Sequence, residues 1–331
     1  MALMTGRSRP LRAFAVFVER NLDMSIRNVF IINPAAGIKN RVPELVQNIK
    51  ELFARLKKEC EILVTRRPGE ATEMVHRLAQ DHPQDSLHVF ACGGDGTFNE
   101  VAQGALDRDN VAVTPYPVGS GNDFVRSFGE FRREDFLDLE RMVNGEEKPI
   151  DVLTVDDRIS VNVASVGLDA VTAKLMPAIR RFPLIGGRFS YVIALACAFF
   201  TATKNRLSFV VDGKPLDYGK PTCILATMAN GKYYGGGFQT APKAKMDDGL
   251  LDFLCVPSVS RFQFLRLVGT YKKGEHLEKI PFVSFCRCRN VQIHSDRPIP
   301  VNLDGEIFQM KDPLIRLKEK ALKILLPAAK A

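Results

Sequence analysis

From Ile26 to Thr114 the chain alternates two hydrophobic periods, and no other feature restricts its fold as much. Four short apolar runs, Ile26 to Ile32, Cys60 to Thr65, Leu87 to Ala91 and Val111 to Thr114, have the length and β-branched content of buried strands. Between the first two, Leu45, Val46, Ile49, Leu52, Phe53 and Leu56 recur at the spacing of one helical face. Glu70 to Ala79 and Phe98 to Leu106 read as further helices. Strands alternating with helices imply right-handed βαβ units and a parallel sheet covered on both faces. Such a sheet sends every strand-to-helix loop out along one edge. Ligands bind in the crevice outside the carboxyl ends of its strands.

Four loops on that edge carry the unusual residues: Asn33-Pro34-Ala35-Ala36-Gly37, Thr65 to Gly69, Gly93 to Asn99, and Gly119 to Asp123. The third, Gly93-Gly94-Asp95-Gly96-Thr97, is followed by Phe98-Asn99-Glu100-Val101. Glycines let the backbone turn sharply and approach a bulky ligand. The N–H groups and dipole at the start of the next helix then favour an anion. A tight turn without a ligand explains any one of these loops. Four together point to a shared site for a phosphate-bearing nucleotide.

Beyond Gly145 the pattern becomes short strands, among them Ile150 to Val155 and Ser160 to Ala164, hairpin turns such as Asp212-Gly213, and helical segments at Leu168 to Ile179, Arg188 to Thr203 and Phe262 to Tyr271. The expected organisation is an α/β nucleotide-binding domain at 24–146 and a mainly antiparallel β domain at 147–331. The last strand would be able to return to the first domain. Residues 1–23 read as a disordered or non-native extension, because Met24 directly precedes the first strand. Arg133 to Asn144 reads as one helix ending the first domain. The net charge of +8 is diffuse, with no dense basic block of the kind that marks nucleic-acid binding. Seven cysteines without CxxC pairs read as reduced thiols of a cytosolic protein. The longest apolar stretch, Val192 to Phe200, is far short of the roughly 20 residues of a membrane-spanning helix.

The stretch Gly93 to Val101, followed by Val118-Gly119-Ser120-Gly121-Asn122-Asp123-Phe124, resembles the diacylglycerol kinase catalytic-domain family. The likeness is to its soluble bacterial lipid kinases, relatives of the sphingosine and ceramide kinases. Asn33-Pro34, the segment Pro242 to Asp252 and Val301-Asn302-Leu303-Asp304-Gly305-Glu306 extend the resemblance from about Arg27 to Pro327. It implies an α/β nucleotide domain beside a β-rich domain, and transfer of the γ-phosphate of ATP to a lipid hydroxyl, with diacylglycerol giving phosphatidic acid. Gly-Gly-Asp-Gly-Thr alone is shared with NAD kinases and phosphofructokinases. An NAD kinase and a nucleotide-binding regulatory protein without catalysis are the alternatives.

The same resemblance implies the site. Asn33, Pro34, Ala35, Ala36 and Gly37 lie by the nucleotide. Thr65, Gly119, Ser120, Asn122 and Asp123 come within reach of ATP. Gly93, Gly94, Gly96, Thr97, Phe98, Asn99 and Glu100 surround its phosphates, and Asp95 holds the catalytic Mg²⁺. On an extended segment Asp304 and Glu306 would share one face, with Glu306 as general base and Asp304 as its metal-linked partner, or the reverse. A structural Mg²⁺ or Ca²⁺ is implied on the Asp248 carboxylate and the main-chain carbonyls of Lys245 and Leu250. The lipid substrate implies peripheral contact with the inner face of the membrane, for which Arg180 to Ile185 and Arg261 to Lys273 mix apolar and basic residues. A homodimer is admitted but not specified by the sequence.

Overall fold

A computed structural model describes residues 25–35, 42–119, 122–180, 188–201 and 204–330. The expected extension at 1–23, with Met24, Ala36, Gly37, Ser120 and the segment Arg181 to Ile185, lies outside them. The first half runs β1 (Ile26–Ile32), α1 (Val42–Leu56), β2 (Cys60–Val64), α2 (Glu70–Asp81), β3 (Ser86–Gly93), α3 (Asp95–Ala105) and β4 (Val111–Pro117). Three short helices follow, α4 (Asp123–Arg126), α5 (Arg133–Leu137) and α6 (Leu139–Val143). Then come β5 (Glu146–Val155), β6 (Arg158–Ser160), β7 (Val163–Gly167), α7 (Leu168–Arg180), α8 (Arg188–Thr201), β8 (Leu207–Val211) and β9 (Lys214–Pro215). The chain finishes with β10 (Cys223–Ala229), β11 (Leu251–Pro257), α9 (Arg261–Lys272), α10 (His276–Lys279), β12 (Ser284–Cys288), β13 (Asn290–Ser295), β14 (Ile299–Leu303), β15 (Glu306–Met310) and β16 (Leu314–Leu326).

Strands β2, β1, β3 and β4 pair in parallel, so their carboxyl ends share one edge. The residues of β1, β3 and β4 are almost all buried, which explains their unbroken apolar runs, while the edge strand β2 is only half-buried. Phe30 stacks on Phe90 with ring centroids 4.4 Å apart, and Phe53 of α1 meets Phe30 edge-on at 5.6 Å. The sheet continues past the first half. β16 pairs in parallel with β4 through Lys323 and Ile324, antiparallel with β5 and β13, and β13 leads on to β8 and β9. The division of the sequence at 146/147 therefore falls inside a strand, β5, that the long β16 holds in the first sheet.

The second sheet, in the order β12-β11-β10-β7-β14-β15, is wholly antiparallel. One face packs against the extension of the first sheet around Phe209, Phe253, Val291 and Ile315. The other carries α7, α8 and α9 over Leu168, Ile224, Leu254 and Phe264.

Two local expectations are corrected. The single helix over 133–144 is broken at Asp138, whose extended backbone (φ −80°, ψ 93°) lets its carboxylate accept the Arg141 N–H and cap α6. Ser160 to Ala164 is not one strand. β6 ends at Ser160 in the first sheet and β7 starts at Val163 in the second, so Val161 and Asn162 cross between sheets without ladder partners.

Candidate active site

The glycine loops meet backbone to backbone at the carboxyl edge of the parallel strands. Gly119 donates its N–H to the Gly93 carbonyl at 3.0 Å. A β-carbon on Gly119 would stand 2.8 Å from the Gly94 α-carbon, and one on Gly93 would stand 2.3 Å from Thr97 Oγ1. Glycine is required at both positions because the space is filled, not because the backbone angles are special. Helix α3 begins at Asp95 with Gly94 as its cap residue, three residues earlier than the periodicity indicates. The first-turn N–H groups of the helix thus come from the motif itself and point out of its end. Asn33 joins this edge: its Nδ2 donates to Thr97 Oγ1 at 3.0 Å, and its Oδ1 accepts the Ala35 N–H at 2.9 Å. Thr65 closes β2 beside them, its N–H on the Ile32 carbonyl at 2.9 Å. The described parts of all four loops thus lie along the carboxyl edge of the parallel strands.

Carboxylates gather where the loops meet. Asp95 Oδ2 accepts the Asp123 N–H at 3.2 Å. Burial, the charge of Asp123 and then that of Asp304 push the Asp95 carboxyl up to about 6, against the pull of backbone donors from Asp123 and Phe124. Asp123 is raised by burial too, but it has compensating partners. Gly236 donates its N–H at 2.6 Å, and Arg126 Nη1 lies 2.8 Å away. Asp95 has no such cation among the described residues. A buried carboxylate repelled by its neighbours fits a hard divalent ion. No group of three or more His, Cys, Asp or Glu that could hold a metal occurs among the described residues. Mg²⁺ is held by one or two carboxylates, with waters and phosphate oxygens completing its shell.

Asp304 and Glu306 do not sit on an extended segment. Asp304 (φ 50°) and Gly305 (φ 102°) form the turn between β14 and β15, and Glu306 is the first residue of β15. The turn aims the Asp304 carboxylate at the crossing between the two sheets. There it accepts hydrogen bonds from Ser160 Oγ (2.8 Å), the N–H groups of Val161 (2.7 Å), Asn162 (3.1 Å) and Val163 (2.8 Å), and Asn99 Nδ2 (2.8 Å). Burial pushes this carboxyl up and these donors pull it back. With both oxygens engaged, Asp304 ties the β14–β15 turn to the crossing segment and to α3. The Glu306 carboxylate accepts no hydrogen bond from any described residue. Partial burial, then Glu100 and Asp304, raise its carboxyl, while Arg158 opposes them.

Several expected site residues have other work. The Phe98 ring is 1% exposed and packs on Phe124 at 4.4 Å, so it fixes α3 against the Gly119–Asp123 loop from inside the core. Asn99 turns to Asp304 rather than to the phosphate side. Glu100 receives the Thr72 hydroxyl on its backbone carbonyl, and its carboxylate faces Glu306 closely enough to raise it. Asn122 (φ 66°) donates Nδ2 to the Gly119 carbonyl at 2.8 Å and shapes its own loop. The 245–250 turn does not fit the implied structural cation. Asp248 Oδ2 is paired with the Arg287 guanidinium and Oδ1 accepts the Leu250 N–H at 3.2 Å, while Arg287 Nε also reaches Asp252 at 3.3 Å. An arginine supplies the positive charge there, leaving Lys245, Asp248 and Leu250 no open carboxylate to offer.

Sequence reasoning missed the Val161–Val163 amide cluster, Asn302 and Asp169. Amide clusters carry no side-chain signal. Asn302 does: it is a polar residue inside an apolar run, and its Oδ1 accepts the Gly305 N–H at 2.8 Å while its Nδ2 donates to Asp169 at 2.9 Å. Asp169 is buried, accepts the Ser165 hydroxyl as well, and forms part of a narrow apolar slot of about 50 Å³. Leu195, Ile224, Phe264 and Val268 line that slot between the second sheet and helices α8 and α9. Asn302 thus connects the wall of the slot to the turn that carries Glu306.

Residues 27–155 match the family described as diacylglycerol kinase catalytic domain, and residues 162–326 the family described as YegS C-terminal NAD kinase beta sandwich-like domain. A "Probable lipid kinase YegS-like" of Chromohalobacter salexigens is 32% identical over 82% of this chain and 84% of its own length. A "Diacylglycerol kinase" of Bacillus subtilis is 26% identical over 91% of this chain and 96% of its own. In fold, a crystal structure of a diacylglycerol kinase from Bacillus anthracis superposes with a TM-score of 0.70 at 24% identity, covering 91% of this chain and 96% of that one.

Proposed function

The chain belongs to the diacylglycerol kinase catalytic-domain family of bacterial lipid kinases, and from that premise we propose that it transfers the γ-phosphate of ATP to the hydroxyl of diacylglycerol, giving phosphatidic acid. The observation that carries the acceptor's class is the apolar slot whose wall is wired through Asp169 and Asn302 to the Glu306 turn. An acyl chain needs more room than about 50 Å³, so α8 and α9 part to admit it.

Each residue of the crevice then has a task. The amides at the start of α3 face the phosphates of ATP, with the helix dipole favouring their charge. Asp95, with Asp123 beside it, would hold Mg²⁺, which when bound neutralises charge on the phosphates. Glu306 accepts the proton of the lipid hydroxyl as that oxygen attacks the γ-phosphorus. Partial burial and the Glu100 charge raise its affinity for protons, the direction a general base needs. Asp304 holds the turn so that Glu306 stays in place. Arg126 opposes the effect of burial on the Asp123 carboxyl beside Asp95.

A bilayer substrate requires a surface encounter. No helix among the described residues is long and apolar enough to cross a membrane. Helix α9 turns Phe264 and Tyr271 inward and leaves Phe262 64% exposed beneath the Arg266 guanidinium, 4.5 Å from its ring centre. We assign this basic and aromatic face to contact with the inner leaflet. The direct test incubates the protein with γ-labelled ATP, Mg²⁺ and diacylglycerol in mixed micelles, and separately with NAD. Labelled phosphatidic acid is expected. Label in NADP without labelled lipid would transfer the chain to the NAD kinases.

A further inference from the structure

Asp169 is a buried acid with no part in handling phosphate, metal or proton. Strands β7 and β14 run side by side with Ser165 opposite Asn302, and the turn at Gly167 (φ 90°) starts α7 beside them. A β-carbon on Gly167 would lie 2.4 Å from the Ile224 carbonyl oxygen, so the turn is as tight as its neighbours allow. It brings Asp169, only 5% exposed, to the wall of the apolar slot. Both polar neighbours donate to the same oxygen: the Ser165 hydroxyl and Asn302 Nδ2, the latter at 2.9 Å, meet at Oδ2. Oδ1 has no hydrogen-bond partner among the described residues. The other polar side chains of the slot are committed, since the Tyr271 hydroxyl pairs with Thr240 and Tyr234 joins that network.

Among the described residues no lysine, arginine or histidine lines the slot, and burial favours the neutral form of the carboxyl. Oδ2 already receives two donors, so the proton belongs on Oδ1, where it faces an apolar space. Left unmet, such a donor costs free energy. An ester carbonyl meets it with a single oxygen. A long-chain amine fits poorly, because its ammonium brings three N–H donors to a slot whose other polar side chains are committed. Asn302 fixes where the carbonyl would lie. Its Oδ1 holds the Gly305 N–H at 2.8 Å, next to Glu306, so one side chain separates the Asp169 carboxyl from the turn that carries the base. In a diacylglycerol an ester stands on the glycerol carbon next to the one bearing the reacting hydroxyl, a comparably short separation. Resting on the reading of the protein as a diacylglycerol kinase, we propose that Asp169 determines acceptor specificity: its Oδ1 hydrogen-bonds an ester carbonyl of the lipid while Glu306 faces the hydroxyl. The site thereby selects glycerol esters over ether lipids and long-chain amines.

The test compares dioctanoylglycerol with its dioctyl ether, which lacks the carbonyls, both as phosphoryl acceptors and as ligands that raise the melting temperature of the full chain. For the wild type the KM of the ester is expected to lie about tenfold or more below that of the ether. D169N places an amide N–H where Oδ1 stands and keeps the amide oxygen for Ser165 and Asn302, so it retains the preference. D169L abolishes it by raising the KM of the ester to that of the ether, and the ester then shifts the melting temperature no more than the ether does. The D169N comparison stands whether or not D169L folds. Equal KM values for ester and ether in the wild type overturn the proposal, as does loss of the preference in D169N, which would make Oδ1 an acceptor. If neither lipid is phosphorylated, the kinase reading fails, while a larger melting shift by the ester that D169N keeps still upholds the role of Asp169. Equal melting shifts in that case refute both.

Discussion

Replacing Asp304 by asparagine separates the two acidic residues of the β14–β15 turn by function. The carboxylate accepts from three backbone N–H groups, one hydroxyl and one side-chain amide, all between 2.7 and 3.1 Å. Asparagine keeps the shape but turns one acceptor oxygen into a donor. The oxygen that remains cannot serve five donors, so at least one backbone N–H of the crossing segment is left facing another donor. Hydrogen bonds to a charged acceptor contribute about 1.5–3 kcal/mol each, and a stranded buried donor costs about 1–3 kcal/mol. Because this site is only partly buried, the lower part of the sum applies, and D304N should lose about 2–4 kcal/mol of stability. Urea unfolding followed by circular dichroism measures this loss. E306Q is the control: the Glu306 carboxylate accepts no hydrogen bond from described residues, so its loss of stability should stay within about 0.5 kcal/mol. Its phosphoryl transfer should nevertheless fall about 10²–10⁴-fold. A D304N protein that unfolds at the wild-type urea midpoint refutes the clamp, and an active E306Q refutes the base.

Other outcomes are open to direct measurement. Asp95 titrates at about 6 in the folded chain against an ordinary aspartate near 3.9 when unfolded. Between those values the folded state keeps a proton the unfolded state has released, so stability falls as pH rises through that window and stays reduced above about 6. D95N removes the penalty and should be up to about 3 kcal/mol more stable than the wild type at pH 7, with the gap closing toward pH 4. Equal stabilities at pH 7 would contradict the environment assigned to Asp95. Mg²⁺ should raise the melting temperature of the wild type at pH 7 and leave that of D95N unchanged; equal shifts would place the ion elsewhere. G119A drives a methyl group into Gly94 and should cost about 1–3 kcal/mol together with most ATP binding, read by calorimetry and nucleotide titration. R287Q frees the Asp248 carboxylate and should make the melting temperature sensitive to Ca²⁺, whereas wild-type sensitivity of the same size would mean that Arg287 does not occupy the cation position.

Comparing particular elements shows what was legible in the chain. Strands β1, β3 and β4 came through because burial on both faces leaves an unbroken apolar run. The start of α3 was placed late because Gly94 to Thr97 has no apolar period, although the helix begins within it. The Arg133–Asn144 helix hid its break because Asp138 is a polar residue on a face where polar residues are expected. Arg287 was invisible as the partner of Asp248, being 39 positions away with no periodicity linking them, whereas Arg126 stands one helical turn from Asp123 and becomes legible only once α4 is placed.

By itself, the sequence determined the parallel α/β half, the edge on which its loops meet, and the glycine motif with the acidic turn that mark the family. These depend on local periodicity and on residue types whose backbone or charge has few uses. The tertiary structure alone decided what those residues do to one another. Asp304 became a clamp because a left-handed turn aims it at amides from 141 to 143 positions earlier, and among the described residues Asp95 has no counter-ion because Arg126 pairs with Asp123. Hydrogen bonds and Coulomb interactions depend on distance in space, and only the folded chain sets those distances.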